Sequence, residues 1–223
     1  MKAYFVTATG TGIGKTFVTA ALTRALRAEG KTVRAFKPVV TGLDSEPFET
    51  SDPGVLLAAM EKPATPDALD WISPIRFSAP LAPAMAAARE GKTLDFGRLV
   101  ALSAEAASGP EDVLLIEGVG GVMVPLTDHL TVLDWMAALH LPVVLVAGSY
   151  LGTLSHTLTA IEVLRARMLP VAGVVVSETP ESTVPLNDTV MQLGVYAGET
   201  PVVALPHGED GRGVPGLTGL VRP

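Results

Sequence analysis

The 223 residues, 48% of them apolar, are enough for one α/β domain with a large core. A formal charge of −7 predicts no broad grip on nucleic acid or on an anionic membrane, since neither meets a basic surface. The lack of cysteine excludes disulfides, thiolate metal sites and a cysteine nucleophile.

In chain order, Ala3-Tyr4-Phe5-Val6 reads as a strand, and Thr7 to Thr16 as a glycine-rich loop that opens a helix. Such a loop lets backbone N–H groups converge on phosphate oxygens, and the helix start adds partial positive charge. Lys15 adds a full charge and Thr16 a hydroxyl for magnesium. The spacing departs from G-x-x-x-x-G-K-[ST], because Thr9 stands five before Gly14. The strand before it and the helix after it supply the context a nucleotide phosphate site requires. This N-terminal apolar run is too short for a signal peptide and no run approaches about 18 apolar residues, so the expectation is a cytoplasmic protein.

Val18, Ala21, Leu22, Ala25 and Leu26 give residues 17–29 helical spacing, ended by Gly30. Residues 32–36 read as a second strand that delivers Lys37 and Pro38 at its carboxyl end, the edge where open α/β sheets bind ligands. Residues 39–70 read as a polar loop, a short helix around 54–60 and a Pro-bearing connector. Residues 71–77 read as an edge strand, since Pro74 would break a central ladder. Helices are expected at 82–89 and 96–107. Residues 113–116 form a buried strand ending on Glu117, before the turn Gly118-Val119-Gly120-Gly121. A helix at 131–139, a strand at 142–147, a helix at 153–167, a strand at 171–176, a helix at 187–195 and a strand at 201–205 follow. Residues 207–223, rich in Gly and Pro, read as an irregular or partly mobile tail.

This alternation predicts the α/β class: a single domain over residues 1–223 with a mainly parallel sheet and helices on both faces. Right-handed crossovers would bring Lys15, Lys37, Glu117 and the loop after Ala147 to one rim. Position alone leaves Lys37 open between a solvated lysine and a functional one. Glu117, closing a buried strand before a glycine turn, points to metal or phosphate chemistry. Asp52, in Ser51-Asp52-Pro53, reads by itself as a helix N-cap. Gly152-Thr153-Leu154-Ser155 opens a helix whose free N–H groups suit a carboxylate. His129, His140, His156 and His207 show no metal-ligand spacing.

Taken together, the stretches Thr9 to Thr16, Lys37-Pro38-Val39-Val40-Thr41-Gly42, Ala79-Pro80-Leu81-Ala82-Pro83, Glu117 to Leu126 and Gly152 to Thr157 resemble, in order, the motifs of the dethiobiotin synthetase family, ATP-dependent ligases of the P-loop NTPase type. The resemblance implies a homodimer that joins CO2 or bicarbonate to 7,8-diaminopelargonic acid. An amine carbamate is phosphorylated by ATP, and the second amine closes the cyclic urea of biotin biosynthesis, releasing ADP and phosphate. It also implies Lys37 and Lys15 as catalytic residues and Thr16, Asp52 and Glu117 as magnesium ligands. Nucleotide contacts fall on Gly12, Ile13, Gly14, Lys15, Thr16, Phe17, Asp52, Glu117, Gly118, Val119, Gly120, Ser177, Glu178 and Pro206. Substrate contacts fall on Thr11 and Thr41, with Gly152, Thr153, Leu154 and Ser155 contributed by the partner subunit. Where many relatives present Asn for adenine this chain has Ser177-Glu178, which leaves the base site open to ATP or other nucleoside triphosphates.

The main alternative is a ParA/MinD-like ATPase switch without ligase activity. Its cue, a second lysine within the phosphate loop together with a basic or amphipathic tail, is absent from the sequence. A cobalamin-type amidotransferase would need the cysteine this chain lacks.

Overall fold

A computed structural model describes residues 1–43 and 47–221. Residues 44–46, in the expected polar loop, and 222–223, at the end of the expected tail, lie outside the described residues. Among the described residues a six-stranded sheet runs in the order β2-β5-β1-β6-β7-β8. Its strands are β1 (Lys2–Ala8), β2 (Val33–Phe36), β5 (Val113–Glu117), β6 (Val143–Gly148), β7 (Val171–Ser177) and β8 (Val202–Leu205). Every neighbouring pair is parallel. All the carboxyl ends therefore open on one edge, as the alternation predicts.

Side chains alternate between the two faces with the period of a strand. Phe5, Leu114, Ile116, Leu145 and Val176 enter one core with α4 (Pro83–Arg89), α5 (Phe96–Ala106), α6 (Val132–Leu139), α7 (Thr153–Ala166) and α8 (Leu186–Tyr196). Tyr4, Val6, Leu115, Val144 and Val175 enter the other, with α1 (Lys15–Ala28). Trp135, fully buried, meets Phe5 edge-to-face at 4.7 Å between ring centroids and anchors the first core. No helix among the described residues is long and apolar enough to cross a membrane.

Three expectations change. The segment read as an edge strand at 71–77 is instead helix α3 (Pro66–Ile72) followed by β4 (Ile75–Phe77), which pairs in parallel with β3 (Val39–Thr41) as a separate two-stranded sheet. Thr65 starts that helix by accepting the Ala68 N–H, and Pro66 occupies its first turn, so Trp71 is drawn into helix. The tail carries a 3-10 turn at Thr218–Val221, and Leu217, Leu220 and Val221 are buried in the core beneath α1, so this part of it is docked on the fold. The N-cap of α2 (Asp52–Ala59) is Ser51, whose Oγ accepts the Gly54 N–H at 3.4 Å. Asp52 is the first helical residue, and its carboxylate is directed elsewhere.

Candidate active site

The glycine loop joins β1 to α1, and the neighbouring strand ends hold it. Thr9 N–H donates to the Val146 carbonyl at 3.0 Å, and the Gly118 and Val122 N–H groups donate to Val6 and Ala8 carbonyls at 2.9 and 3.1 Å. Gly14 caps α1 at φ 95°, a left-handed conformation that favours glycine. Lys15, at the start of α1, is 7% exposed.

Lys37 leaves β2 at the same edge. Its N–H donates to the Ile72 carbonyl at 3.1 Å, and its carbonyl accepts the Ser73 hydroxyl at 2.7 Å, so the end of α3 fixes its backbone. The side chain is 2% exposed and ends between two carboxylates. Nζ lies 2.7 Å from Asp52 Oδ2 and 2.6 Å from Glu117 Oε1. Thr16 Oγ1 reaches the same two groups, 2.8 Å from Asp52 Oδ1 and 2.7 Å from Glu117 Oε1. With a single proton, the hydroxyl donates to one of them at a time.

The electrostatics follow from this crowding. Burial first, and the Lys37 ammonium second, lower the Lys15 pKa to about 8, against smaller opposing pulls from Glu117 and Asp52. Burial alone would lower Lys37 as well, but Glu117 and Asp52 outweigh it and hold its pKa above that of an ordinary lysine. Asp52 is likewise raised by burial and lowered further by Lys37 and the Thr16 hydroxyl, so it lies below the usual carboxylate value. Two ammoniums against two carboxylates leave the cluster without net charge.

Thr16, Asp52 and Glu117 offer oxygen only, the donor type that magnesium takes. Glu117 Oε1 receives both Lys37 and Thr16, while Oε2 is buried without a hydrogen-bond partner. Leaving such an oxygen unsatisfied costs about 1–3 kcal/mol, which a cation would relieve. Among the described residues no group of three or more His, Asp or Glu could hold a metal ion. An ion here would therefore complete its shell with water and phosphate oxygens, as magnesium commonly does.

A cavity of about 400 Å³ gathers Thr11, Gly12, Gly14, Lys15, Thr16, Phe17, Lys37, Thr41, Asp52, Val119 and Gly120, nearly all of the predicted phosphate and reaction residues. Glu117, fully buried, meets two of these lining residues, Thr16 and Lys37, and Gly118 is tied to β1 through the Val6 carbonyl. A second cavity of about 420 Å³ shares Thr11 and is walled by Met123, Val124, His156 and Thr159, which the sequence reading did not assign. His156 follows Gly152 by one helical turn, and its Nδ1 lies 2.9 Å from the Tyr150 hydroxyl. Gly152, Thr153 and Leu154 line a separate cavity of about 140 Å³, and within one chain they do not join Lys37. Ser177 ends β7 beside β8, Glu178 follows it, and Pro206 follows β8.

The fold and the loop define a P-loop nucleotide-binding protein, and residues 2–210 match the AAA domain family. Among solved structures, a ParA family ATPase from Chlorobium tepidum covers 94% of this chain, and 85% of that chain is covered, with a TM-score of 0.52 and 16% identity. The cell division ATPase MinD from Pyrococcus furiosus covers 92% and 84% with a TM-score of 0.55 and 18% identity. At such identities the likeness is one of fold alone and does not favour the ATPase-switch alternative.

Sequence relatives are much nearer. ATP-dependent dethiobiotin synthetase BioD from Methylobacterium nodulans is 52% identical over 203 residues, spanning 89% of this chain and 90% of the relative. The protein of the same name from Phenylobacterium zucineum is 49% identical over 209 residues, spanning 93% and 89%. The chain belongs to the ATP-dependent dethiobiotin synthetase family.

Proposed function

We propose that the protein is an ATP-dependent dethiobiotin synthetase, a ligase that carboxylates 7,8-diaminopelargonic acid with CO2 and closes the ureido ring at the expense of ATP. The observation that supports this most is the ammonium of Lys37 held between Asp52 and Glu117 beside Lys15 and the phosphate loop. The reaction brings two anions together, a carbamate and a terminal phosphate. Ammonium groups and a divalent ion placed at the reacting oxygens lower that barrier.

In this reading the loop N–H groups from Gly12 to Phe17 and the Lys15 ammonium bind the triphosphate. Lys37 exchanges part of its carboxylate pairing for the carbamate oxygens as they approach the phosphorus, and Thr11 and Thr41 orient the diamine. Thr16, Asp52 and Glu117 would hold magnesium, which when bound neutralises phosphate charge. The carbamate oxygen displaces the nucleoside diphosphate, the second amine then attacks the carbamoyl carbon, and phosphate leaves as the ring closes. Every leaving group is an oxyanion, so no protein nucleophile is required.

The remaining substrate end carries a carboxylate. The opening of α7, residues 152–155, suits it; Gly152, Thr153 and Leu154 line a cavity other than that of Lys37, and the proposal includes a homodimer in which each subunit completes the other's site.

Mass spectrometry tests the reading. With the diamine, ATP, magnesium and carbon-13 bicarbonate, the product should carry the label in its ureido carbon, with one ADP formed per ring. Unlabelled product, or ADP without product, would overturn it.

A further inference from the structure

α1 opens on Lys15 and Thr16 and α2 on Asp52, and a second concentration of charge lies at the other ends of the same two helices. A cavity of about 420 Å³ is lined there by Arg24 and Arg27 of α1, by Glu61 just after α2 and by Arg212 of the loop after β8. Ala58 and Ala59 of α2 line it too, and their short side chains leave it room. Its volume falls within the range of small-molecule sites, about 300–1,000 Å³. Arg27 lies about 18 Å from Lys15 along α1, at a rise of about 1.5 Å per residue, so this cavity is separate from the candidate active site.

Three guanidiniums in one hollow run against a chain whose formal charge is −7. Two of them have carboxylate partners. Arg27 Nη2 lies 2.6 Å from Glu61 Oε2, and Arg212 is paired with Asp210. Arg24 has neither a hydrogen bond nor an ion pair among the described residues, and Asp210 acts on it only at longer range. Three positive charges therefore meet two negative ones, and all five N–H donors of Arg24 are uncommitted. The Glu61 side chain is 79% exposed and that of Arg212 63%, and pairs so open to water contribute little, so both arginines can turn to another anion. The carbonyl ends of the two helices, which disfavour an anion, are partly met by backbone donors. Gly30 N–H donates to the Arg27 carbonyl at 2.9 Å, and Glu61 N–H to the Ala58 carbonyl at 3.0 Å.

We propose that this cavity is a binding site for a small polyvalent oxyanion, with phosphoryl or carboxylate groups, held by Arg24 and by the spare N–H donors of Arg27 and Arg212. A guanidinium meets either group through two parallel N–H donors, a geometry that a lysine ammonium does not offer. The occupant would join α1 to the loop after β8, away from the phosphate loop. The inference stands on this cavity alone and holds whatever reaction the active site performs.

Calorimetry on the full chain tests this, with pyrophosphate and citrate as separate probes and no magnesium. Arg24→Ala should weaken binding at this site by about tenfold or more, the worth of a charge-assisted hydrogen bond. Arg24→Lys should recover only part of the loss, because it keeps the charge without the paired donors. Glu61→Gln frees Arg27 from its carboxylate and should tighten binding by about threefold, a gain that a merely structural arginine cluster would not give. Lys15→Ala should leave this site intact, which separates it from any anion bound at the phosphate loop. A preference for pyrophosphate would mark the ligand as a phosphorylated compound, and one for citrate as a polycarboxylate. Binding that is unchanged in both Arg24→Ala and Glu61→Gln, that is lost in Lys15→Ala instead, or that has a Kd above about 10 mM for both probes would overturn the proposal.

Discussion

Lys37 and Glu117 are separated by 80 positions in sequence, yet Lys37 Nζ and Glu117 Oε1 lie 2.6 Å apart, the former residue 2% exposed and the latter fully buried. Lys37 follows β2 and Glu117 ends β5, adjacent parallel strands whose pairing runs Phe36 opposite Ile116. The sheet register therefore delivers both side chains to the same point.

A buried pair of this kind is poised for chemistry. Lys37→Ala should reduce turnover by about 100-fold or more, the usual cost of losing a group that stabilises developing charge. Nucleotide affinity should stay within a few-fold, since Lys15 and the loop N–H groups remain. Steady-state kinetics with parallel calorimetry measure both. Equal losses in turnover and affinity would make Lys37 a binding group only.

The same pair has a structural consequence. Lys37→Met strips a buried carboxylate of its ammonium and should destabilise the fold by about 3 kcal/mol. Adding Glu117→Gln removes the stranded charge and should recover a large part of the loss, a coupling that urea denaturation of the two single variants and the double one would reveal. Additive losses would mean that the two residues do not depend on each other.

Lys15 should make nucleotide binding sensitive to pH. Its pKa of about 8 lies below the ordinary 10.5, so above about 8 the empty site loses this charge. Affinity for the triphosphate should fall as pH rises from about 8 to about 9.5, approaching tenfold per unit. The stability effect has the opposite sign. A lysine whose folded pKa is depressed leaves the unfolded chain with more bound protons between about 8 and 10.5, so its contribution to stability improves across that window. Affinity that is flat across the range would show that Lys15 titrates elsewhere.

The balanced charge of the cluster argues that the triphosphate needs a divalent ion. Chelation should weaken ATP binding by about tenfold or more. Asp52→Asn removes one carboxylate, so in the chelator it should bind ATP more tightly than the wild type, and with magnesium less tightly. The same ranking under both conditions would take Asp52 out of metal binding.

Much of this was legible in the sequence. Strong apolar runs such as Val113 to Ile116 and the helical spacing of α1 announced the sheet and its cover, and the glycine loop announced the rim. What escaped was short or depended on distant partners. β3 and β4 have three residues each, too few for any periodicity to register, and Pro74 masks the boundary after α3, so that Trp71 reads with the strand. Asp52 carried no signal of its own, because Ser51 and Pro53 make the segment look like a cap; only packing turns its carboxylate to Lys37. Leu217, Leu220 and Val221 sit among glycines and read as loop, but are held by the core face of α1. That Gly152, Thr153 and Leu154 line a different cavity from Lys37 could not be read from order along the chain.

The most direct measurement is release of nucleoside diphosphate with diaminopelargonate, bicarbonate and magnesium, each withheld in turn. If a phosphoryl group passes to a carbamate held at Lys37, omission of any one should reduce release to background. Release that continues undiminished without the diamine would contradict that chemistry and leave an ATPase.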